Sequence, residues 1–299
     1  MQTRIREYLK NVADGIRRLP SITMIGYGTT NRSVLEAVYV SGIFSDITVR
    51  QNGKIYDTPP YNVKLMQGVD ALVVMAQDPV PLTNVCKKAK AQGKFVAIVS
   101  NPLSERVEDV FVNGDNRSFG VEAARALGSE LKGQGKIVFL RGMPCPIDND
   151  RAGGFLDTLK AEFPAIVVLE SADAYWNTEK GLMAMELLLQ KHPQIDGVWA
   201  GDDDVLLGAI KAYQKSGRKD VKVFVGGGGA QSVVRMVANG DPVVKATVTY
   251  PPEMICTGIE AAFNALKKSG SGTEKEIIIP SKIITMVNAK DFIREGSPY

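Results

Sequence analysis

Three consecutive carboxylates, Asp202, Asp203 and Asp204, stand between a short apolar run, residues 196–200, and a helix pattern with apolar residues at Val205, Leu206, Ala209, Ile210 and Tyr213. Carboxylates accept hydrogen bonds from hydroxyls and from free N–H groups. At the carboxyl end of a strand they occupy the place where open α/β sheets bind ligands. At a helix start they also cap N–H groups and meet the favourable end of the helix dipole. Capping accounts for one such residue; three in a row point to at least one that reaches a ligand.

Two glycine motifs invite a nucleotide reading. The run at residues 226–229 is all glycine and again lies between a strand and a helix pattern. Such a run lets the backbone approach a partner closely, as in a phosphate loop or in a tight turn beside a pocket. The Lys-Ser/Thr ending of a nucleotide loop is missing. Gly26-Tyr27-Gly28, after a strand pattern at residues 21–25, begins a dinucleotide fingerprint, but Asn31 stands at the third glycine and the next strand ends in Arg50-Gln51 without an acidic residue.

Composition narrows the function classes. The 299 residues suffice for two domains of ordinary size. Thirty-six basic residues balance 33 acidic ones, with no dense basic block, so charge gives no indication of a nucleic-acid partner. The single histidine, His192, reads as a surface connector; its scarcity weighs against acid–base catalysis and hence against an enzyme. Cys86, Cys145 and Cys256 are too widely spaced for a disulfide framework or a metal site. Cys86 and Cys256 read as buried thiols. No metal or cofactor is expected. The first residues carry charges throughout and lack an apolar secretory core. That fits a mature form without its leader, or a cytoplasmic protein if the start is native.

The elements that must position these residues follow a regular order. Strand patterns fall at residues 69–76, 95–99, 136–141, 165–171, 197–200, 221–226, 245–249 and 276–284. Helix patterns fall at 81–92, 118–131, 151–163, 178–191, 204–216, 230–238 and 252–268. Residues 1–60 read as helix (3–19), strand (21–25), helix (32–40) and strand (46–51). Short apolar strands alternating with helices predict parallel sheets covered on both faces. The number of units favours two lobes over one open sheet, with an eight-unit barrel as the alternative. The polar segment 99–116 reads as a crossing between lobes.

From about residue 69 onward the chain resembles the periplasmic sugar-binding proteins of the ribose-binding type, the substrate-capture subunits of ABC importers. The stretches that carry this are QGVDALVVMAQDPVPLTNVCKKAKAQGKFVAIVSNPL, NDRAGGF, ADAYWNTEKGLMAMELLLQKHPQIDGVWAGDDDVLLGAIKAYQKSG, KATVTYPPEMICTGIEAAFNAL and the tail DFIREGSPY. The resemblance implies an α/β fold of two Rossmann-like lobes with parallel sheets and hinge crossings. It divides the chain into residues 1–102 with 251–280, and 103–250 with 281–299. It implies a sugar or polyol bound in the interlobe cleft without chemistry, a membrane permease as partner, and a monomer.

Carried over by position, Arg151 would clamp ligand oxygens with its planar fork, and Trp176 would stack on the sugar's C–H face. Asp202 would accept hydroxyls, with Asp203 as a cap or supporting partner. Asn101, at the end of the strand at 95–99, would bind the ligand beside the family's usual Asp-Arg position, and Tyr250 would stand where a polar hinge residue reaches the ligand. Two departures stand out. Gly228 replaces the aspartate usual after that strand, so the hydroxyl pattern of the ligand should differ from that of ribose. Residues 1–60 lack the usual grip; Tyr27 and Tyr61 are candidate substitutes. A repressor-type sensing core, which needs an N-terminal DNA-binding motif, and a nucleotide-dependent enzyme using residues 26–31 remain as alternatives.

Overall fold

The computed structural model describes residues 22–25, 70–76, 79–250, 254–267 and 275–295. The glycine motif at residues 26–31, Tyr27, Tyr61 and the elements expected at 3–19, 32–40 and 46–51 lie outside the described residues. The chain forms two compact units, Met1–Gly114 with Pro252–Ile279, and Asp115–Pro251 with Pro280–Tyr299. No described helix is long and apolar enough to cross a membrane.

The first unit holds a parallel sheet in the order β1 (Ile22–Ile25), β2 (Ala71–Val74), β3 (Phe95–Val99), β4 (Val110–Gly114) and β10 (Glu276–Ile279). The strands ALVV and FVAIV are almost wholly buried, as a sheet covered on both faces requires. Helix α1 (Pro79–Ala91) buries Leu82, Cys86 and Ala89. On the sheet's other face, α7 (Met254–Lys267) crosses closely: a Cβ on Gly258 would lie 2.9 Å from Val99. Strand β4 lies inside the segment expected to be a plain crossing. Residues 103–114, assigned from sequence to the second lobe, therefore belong with the first unit, because β4 pairs with both β3 and β10.

The second unit has the sheet order β11 (Ile283–Thr285), β9 (Val244–Thr249), β8 (Val223–Gly228), β7 (Gly197–Ala200), β5 (Gln134–Arg141) and β6 (Ala165–Asp173), with only β11 antiparallel. The run 276–284, expected as one strand, is two strands in two different sheets. Pro280, which cannot donate to a sheet ladder, falls between them.

One face of this sheet is covered by α2 (Asn116–Glu130) and α3 (Pro146–Glu162), around Phe119, Phe139, Phe155 and Trp199. The other is covered by α4 (Thr178–Lys191), α5 (Asp203–Ser216) and α6 (Gln231–Ala238), around Met185, Val205, Leu206 and Phe224. Both helix pairs touch backbone to backbone through glycine. A Cβ on Gly120 of α2 would lie 2.0 Å from the Arg151 carbonyl of α3, and one on Gly208 of α5 would lie 2.1 Å from the Thr178 carbonyl of α4. Side-chain caps set the helix starts: Asp115 accepts from Ser118 N–H and Asn177 from Lys180 N–H. Gly217 closes α5 in the left-handed region, φ 70°.

Strand β6 is an exposed edge. Its register with β5 slips at Ile137/Val138, so that Val168 and Glu170 pair while Leu169 is skipped. Such a bulge twists an edge away from unwanted pairing. His192, expected as a surface connector, follows α4 as its C-cap and adds a contact, its ring nitrogen lying 2.8 Å from Glu170. Cys86 is buried, and burial raises its thiol to about pH 11; Cys256 and Cys145 are only partly buried.

Candidate functional site

In the second unit, β5 has β7 on one side and β6 on the other. The chain leaves β5 for β6 and then returns to the opposite side with β7. This reversal opens a crevice at the carboxyl ends of β5 and β7, the usual ligand position in an open α/β sheet. The residues that end these strands are Arg141 and Ala200.

The turn after β5 is tied by Asp148 in the first turn of α3. Its Oδ1 accepts from Gly142 N–H at 2.6 Å and its Oδ2 from Arg141 Nε at 2.7 Å. Arg141 also donates through Nη2 to Asn149 Oδ1 at 2.8 Å. Pro146 starts the helix, where its missing N–H costs nothing. This arrangement fixes the first turn of α3, and Arg151 lies in the next.

Arg151 is 5% exposed. Its Nε donates to Asn116 Oδ1 at 3.0 Å and its Nη1 to the Gly201 carbonyl at 2.8 Å. Its Cζ lies 4.0 Å from the Phe119 ring centroid and 4.4 Å from that of Tyr250. The two rings meet edge to face at 6.4 Å between centroids. The guanidinium is thus held between two aromatic faces, a cation–π arrangement strengthened by desolvation. Burial pulls its pKa below the ordinary value, and the fields of Tyr250, Asp202 and Asp148 oppose that pull. No carboxylate forms an ion pair with it among the described residues. Its Nη2 makes no hydrogen bond among the described residues.

Asp202 is the N-cap of α5. Its Oδ1 accepts from Asp204 N–H at 2.8 Å and from Val205 N–H at 3.4 Å. Burial, with the like charge of Asp204, pushes its pKa up to about 6, against the pull of Arg151. Asp203 has a different environment. Its Oδ1 accepts from Gly227 N–H and its Oδ2 from Ala230 N–H, each at 2.8 Å. Thr247 donates to the same carboxylate at 2.9 Å. Both oxygens are taken, and the residue is 2% exposed. Its expected supporting role fits this geometry, whereas direct ligand contact does not.

The glycine run 226–229 is explained by its neighbours. A Cβ on Gly226 would fall 2.1 Å from Asp203 Oδ1, and one on Gly227 would fall 2.1 Å from Phe119 Cζ. Gly228 and Gly229 have φ of 120° and 76°, values that side chains disfavour. Close packing and turn geometry account for all of it, without a phosphate.

Trp176 follows β6 with φ 54°, as does Tyr175. Consecutive left-handed non-glycine residues are strained and cluster at functional loops. The indole lies against Gly142: a Cβ there would be 1.9 Å from Trp176 Nε1. That Nε1 is buried with no hydrogen-bond partner. Asn101 follows β3 and the left-handed Ser100, φ 70°, in the first unit. The structure therefore gathers Arg151, Tyr250, Asp202 and Asp203 in the second unit, with Trp176 on the Gly142 turn beside Asp148. Asn116, Phe119, Arg141 and Asp148 were missed from sequence. Only Asp148 had a local signal, three residues before Arg151 and hence on the same helical face.

A profile of the periplasmic binding protein domain matches residues 62–271. The chain belongs to the periplasmic binding protein domain family. It is 31% identical over 237 residues to the ribose import binding protein of Bacillus subtilis, covering 79% of this chain and 75% of that one. It is also 31% identical over 216 residues to the xylitol-binding protein of Mycolicibacterium smegmatis, covering 72% of this chain and 61% of that one. Among solved structures, an ABC transporter solute-binding protein from Mycobacterium smegmatis with bound glycerol superposes with a TM-score of 0.78 at 24% identity, covering 94% of this chain and 99% of that one. These relatives agree with the resemblance to ribose-type binding proteins and with the α/β fold of the type I periplasmic binding proteins. No group of histidine, cysteine or carboxylate side chains suited to a metal occurs among the described residues.

Proposed function

We propose that this chain captures a small sugar or polyol and delivers it to the membrane permease of an ABC importer, working in the periplasm and making no covalent change. The observation that carries this reading is the pairing of a buried, pre-held Arg151 fork, in the second turn of α3, with the Asp202 carboxylate at the start of α5. Arg151 bonds the Gly201 carbonyl at 2.8 Å, one residue before Asp202. A donor fork and an acceptor side by side match the donor–acceptor character of a vicinal diol. Trp176 supplies a flat apolar face for C–H groups. Tyr250 acts mainly by holding Arg151, and Asp203 by holding the loop after β8.

Relatives that are named for ribose and for xylitol support this class of ligand. The glycine at 228 removes one position for a carboxylate, so the favoured ligand should offer fewer hydroxyls there than ribose, as another pentose or a polyol would. A thermal-shift screen against pentoses, hexoses, polyols and nucleotides tests the proposal, because a ligand that binds the native state raises its melting temperature by mass action. A shift with sugars or polyols is expected. A shift with nucleotides alone would overturn it.

A further inference from the structure

The Arg151 fork is built by residues that do not themselves present atoms to the crevice. Asn116 is 4% exposed and its Oδ1 accepts from Arg151 Nε at 3.0 Å. Phe119, one helical turn later in α2, is fully buried and places its ring 4.0 Å from the guanidinium carbon. The Gly120 contact with the Arg151 carbonyl, which leaves no room for a Cβ, sets the depth at which α2 and α3 meet. Arginine has many rotamers, and ordering a free one on binding costs affinity. A fork already fixed in one plane avoids that cost.

We propose that Asn116, backed by Phe119, is the positioning residue that fixes the plane of the Arg151 guanidinium and leaves Nη2 as its ligand-facing edge. The acceptor oxygen sets the rotation of the fork and the ring sets its height. Asn116 stands two residues past Gly114, where the chain passes from the first unit into the second. The neighbouring Asp115 caps α2 through its side chain, and its carbonyl accepts from Ser281 Oγ at 3.0 Å. The peptide that enters the positioning residue is thereby anchored through Asp115.

The affinity arm of the test rests on the ligand reading above; a spectroscopic arm does not. In protein labelled with 15N at arginine Nε, the Arg151 signal is identified by its loss in Arg151→Lys. It should be shifted by ring currents and exchange slowly with water. Asn116→Leu should speed that exchange by about tenfold or more, and Asn116→Asp, which keeps the acceptor, should restore it. In calorimetric titrations with D-ribose, D-allose and xylitol, Asn116→Leu should weaken whichever the wild type binds by about tenfold, while Asn116→Asp stays within about threefold. Phe119→Leu keeps an apolar core residue without a ring face, and should reduce the ring-current shift to the part that Tyr250 supplies.

A wild-type Arg151 signal that exchanges as fast as surface arginines would overturn the proposal without any variant. Equal losses in Asn116→Leu and Asn116→Asp would also overturn it. If none of the three ligands binds, the functional reading fails while the exchange arm still decides the positioning role.

Discussion

Thr247 directs its hydroxyl at the Asp203 carboxylate, 2.9 Å from Oδ1 and 3.0 Å from Oδ2. This contact ties the start of α5 to the middle of β9, and Gly227 and Ala230 N–H complete the set of donors. Burial pushes the Asp203 pKa up to about 7, while the hydrogen bonds from Ala230, Thr247 and Gly227 resist that rise. Two aspartates adjacent in sequence therefore do different work. Asp203 holds the loops that frame the crevice, and Asp202 keeps an oxygen beyond its cap.

Asp203→Ala leaves these donors buried and unanswered, so a loss of about 3 kcal/mol or more in stability is expected. Asp203→Asn keeps one acceptor but turns an NH2 group toward a donor, and should cost about 1–3 kcal/mol. Urea unfolding of both variants, beside Asp204→Ala as the near-neutral comparison, checks the ranking.

The glycine run makes a second stability prediction. Gly227→Ala would place a methyl 2.1 Å from the Phe119 ring, on which Arg151 rests. The ring has to move, and overpacking of this kind costs about 1–3 kcal/mol. Ligand affinity should fall together with stability, since the displaced ring carries the guanidinium. Gly217→Ala, at an open helix end with φ 70° and nothing within 4 Å, should lower the melting temperature but leave affinity unchanged. Melting curves and titrations on the two variants separate the cases.

Much of this architecture was legible because parallel strands buried on both faces leave continuous apolar runs, and helices between them leave glycine punctuation. Strand β4 escaped because VFVNG is short and lies between polar segments with no periodicity. The break at Pro280 escaped because passage of the chain between units has no local signature beyond a proline. At the site, Asp202 could be read because it sits at a strand end and helix start, and Arg151 because it falls in the NDRAGGF stretch that carries the resemblance. Asn116 and Phe119 could not. Asn116 meets Arg151 across 35 residues of sequence, through a helix crossing set by glycines, and nothing in the one-dimensional pattern records which faces of α2 and α3 meet.

The Asp202 carboxyl, with its pKa raised to about 6 by burial and by Asp204, makes binding pH-dependent in a defined sense. A ligand hydroxyl that donates to the carboxylate needs it ionised. Affinity should hold above pH 7 and fall as pH drops through about 6, approaching a limit of about tenfold per pH unit. Stability runs the other way. The folded-state pKa lies above the unfolded value of 3.8, so the folded protein binds the proton more tightly, and this contribution is lost as pH rises from about 4 to about 6. Asp202→Asn should flatten the affinity profile and make the stability profile shallower, the remainder coming from Asp203, whose pKa is also raised, to about 7. Titrations and unfolding curves between pH 4.5 and 8, compared with the variant, carry the test; a wild-type affinity that stays constant through pH 6 would show that the carboxylate does not meet the ligand.

The two tryptophans should report on ligand differently. Trp199 is 2% exposed and stacks on Phe155 at 4.1 Å and on Phe139 at 5.7 Å between ring centroids. Its surroundings are fixed by the core of the second unit. Trp176 is only partly buried, on a strained turn, with its N–H unpartnered against Gly142. Stacking of a sugar or polyol on that ring replaces water at its face. The ligand-induced change in intrinsic fluorescence should therefore come from Trp176 and vanish in Trp176→Phe, while Trp199→Phe keeps it. The phenyl ring still offers an apolar face, so Trp176→Phe should lose less than about fivefold in affinity, whereas Trp176→Ala should lose about 1–2 kcal/mol, or roughly five- to thirtyfold. Fluorescence titration of the wild type and of each variant measures both effects. A ligand signal that survives Trp176→Phe at full amplitude would place the bound ligand away from this turn.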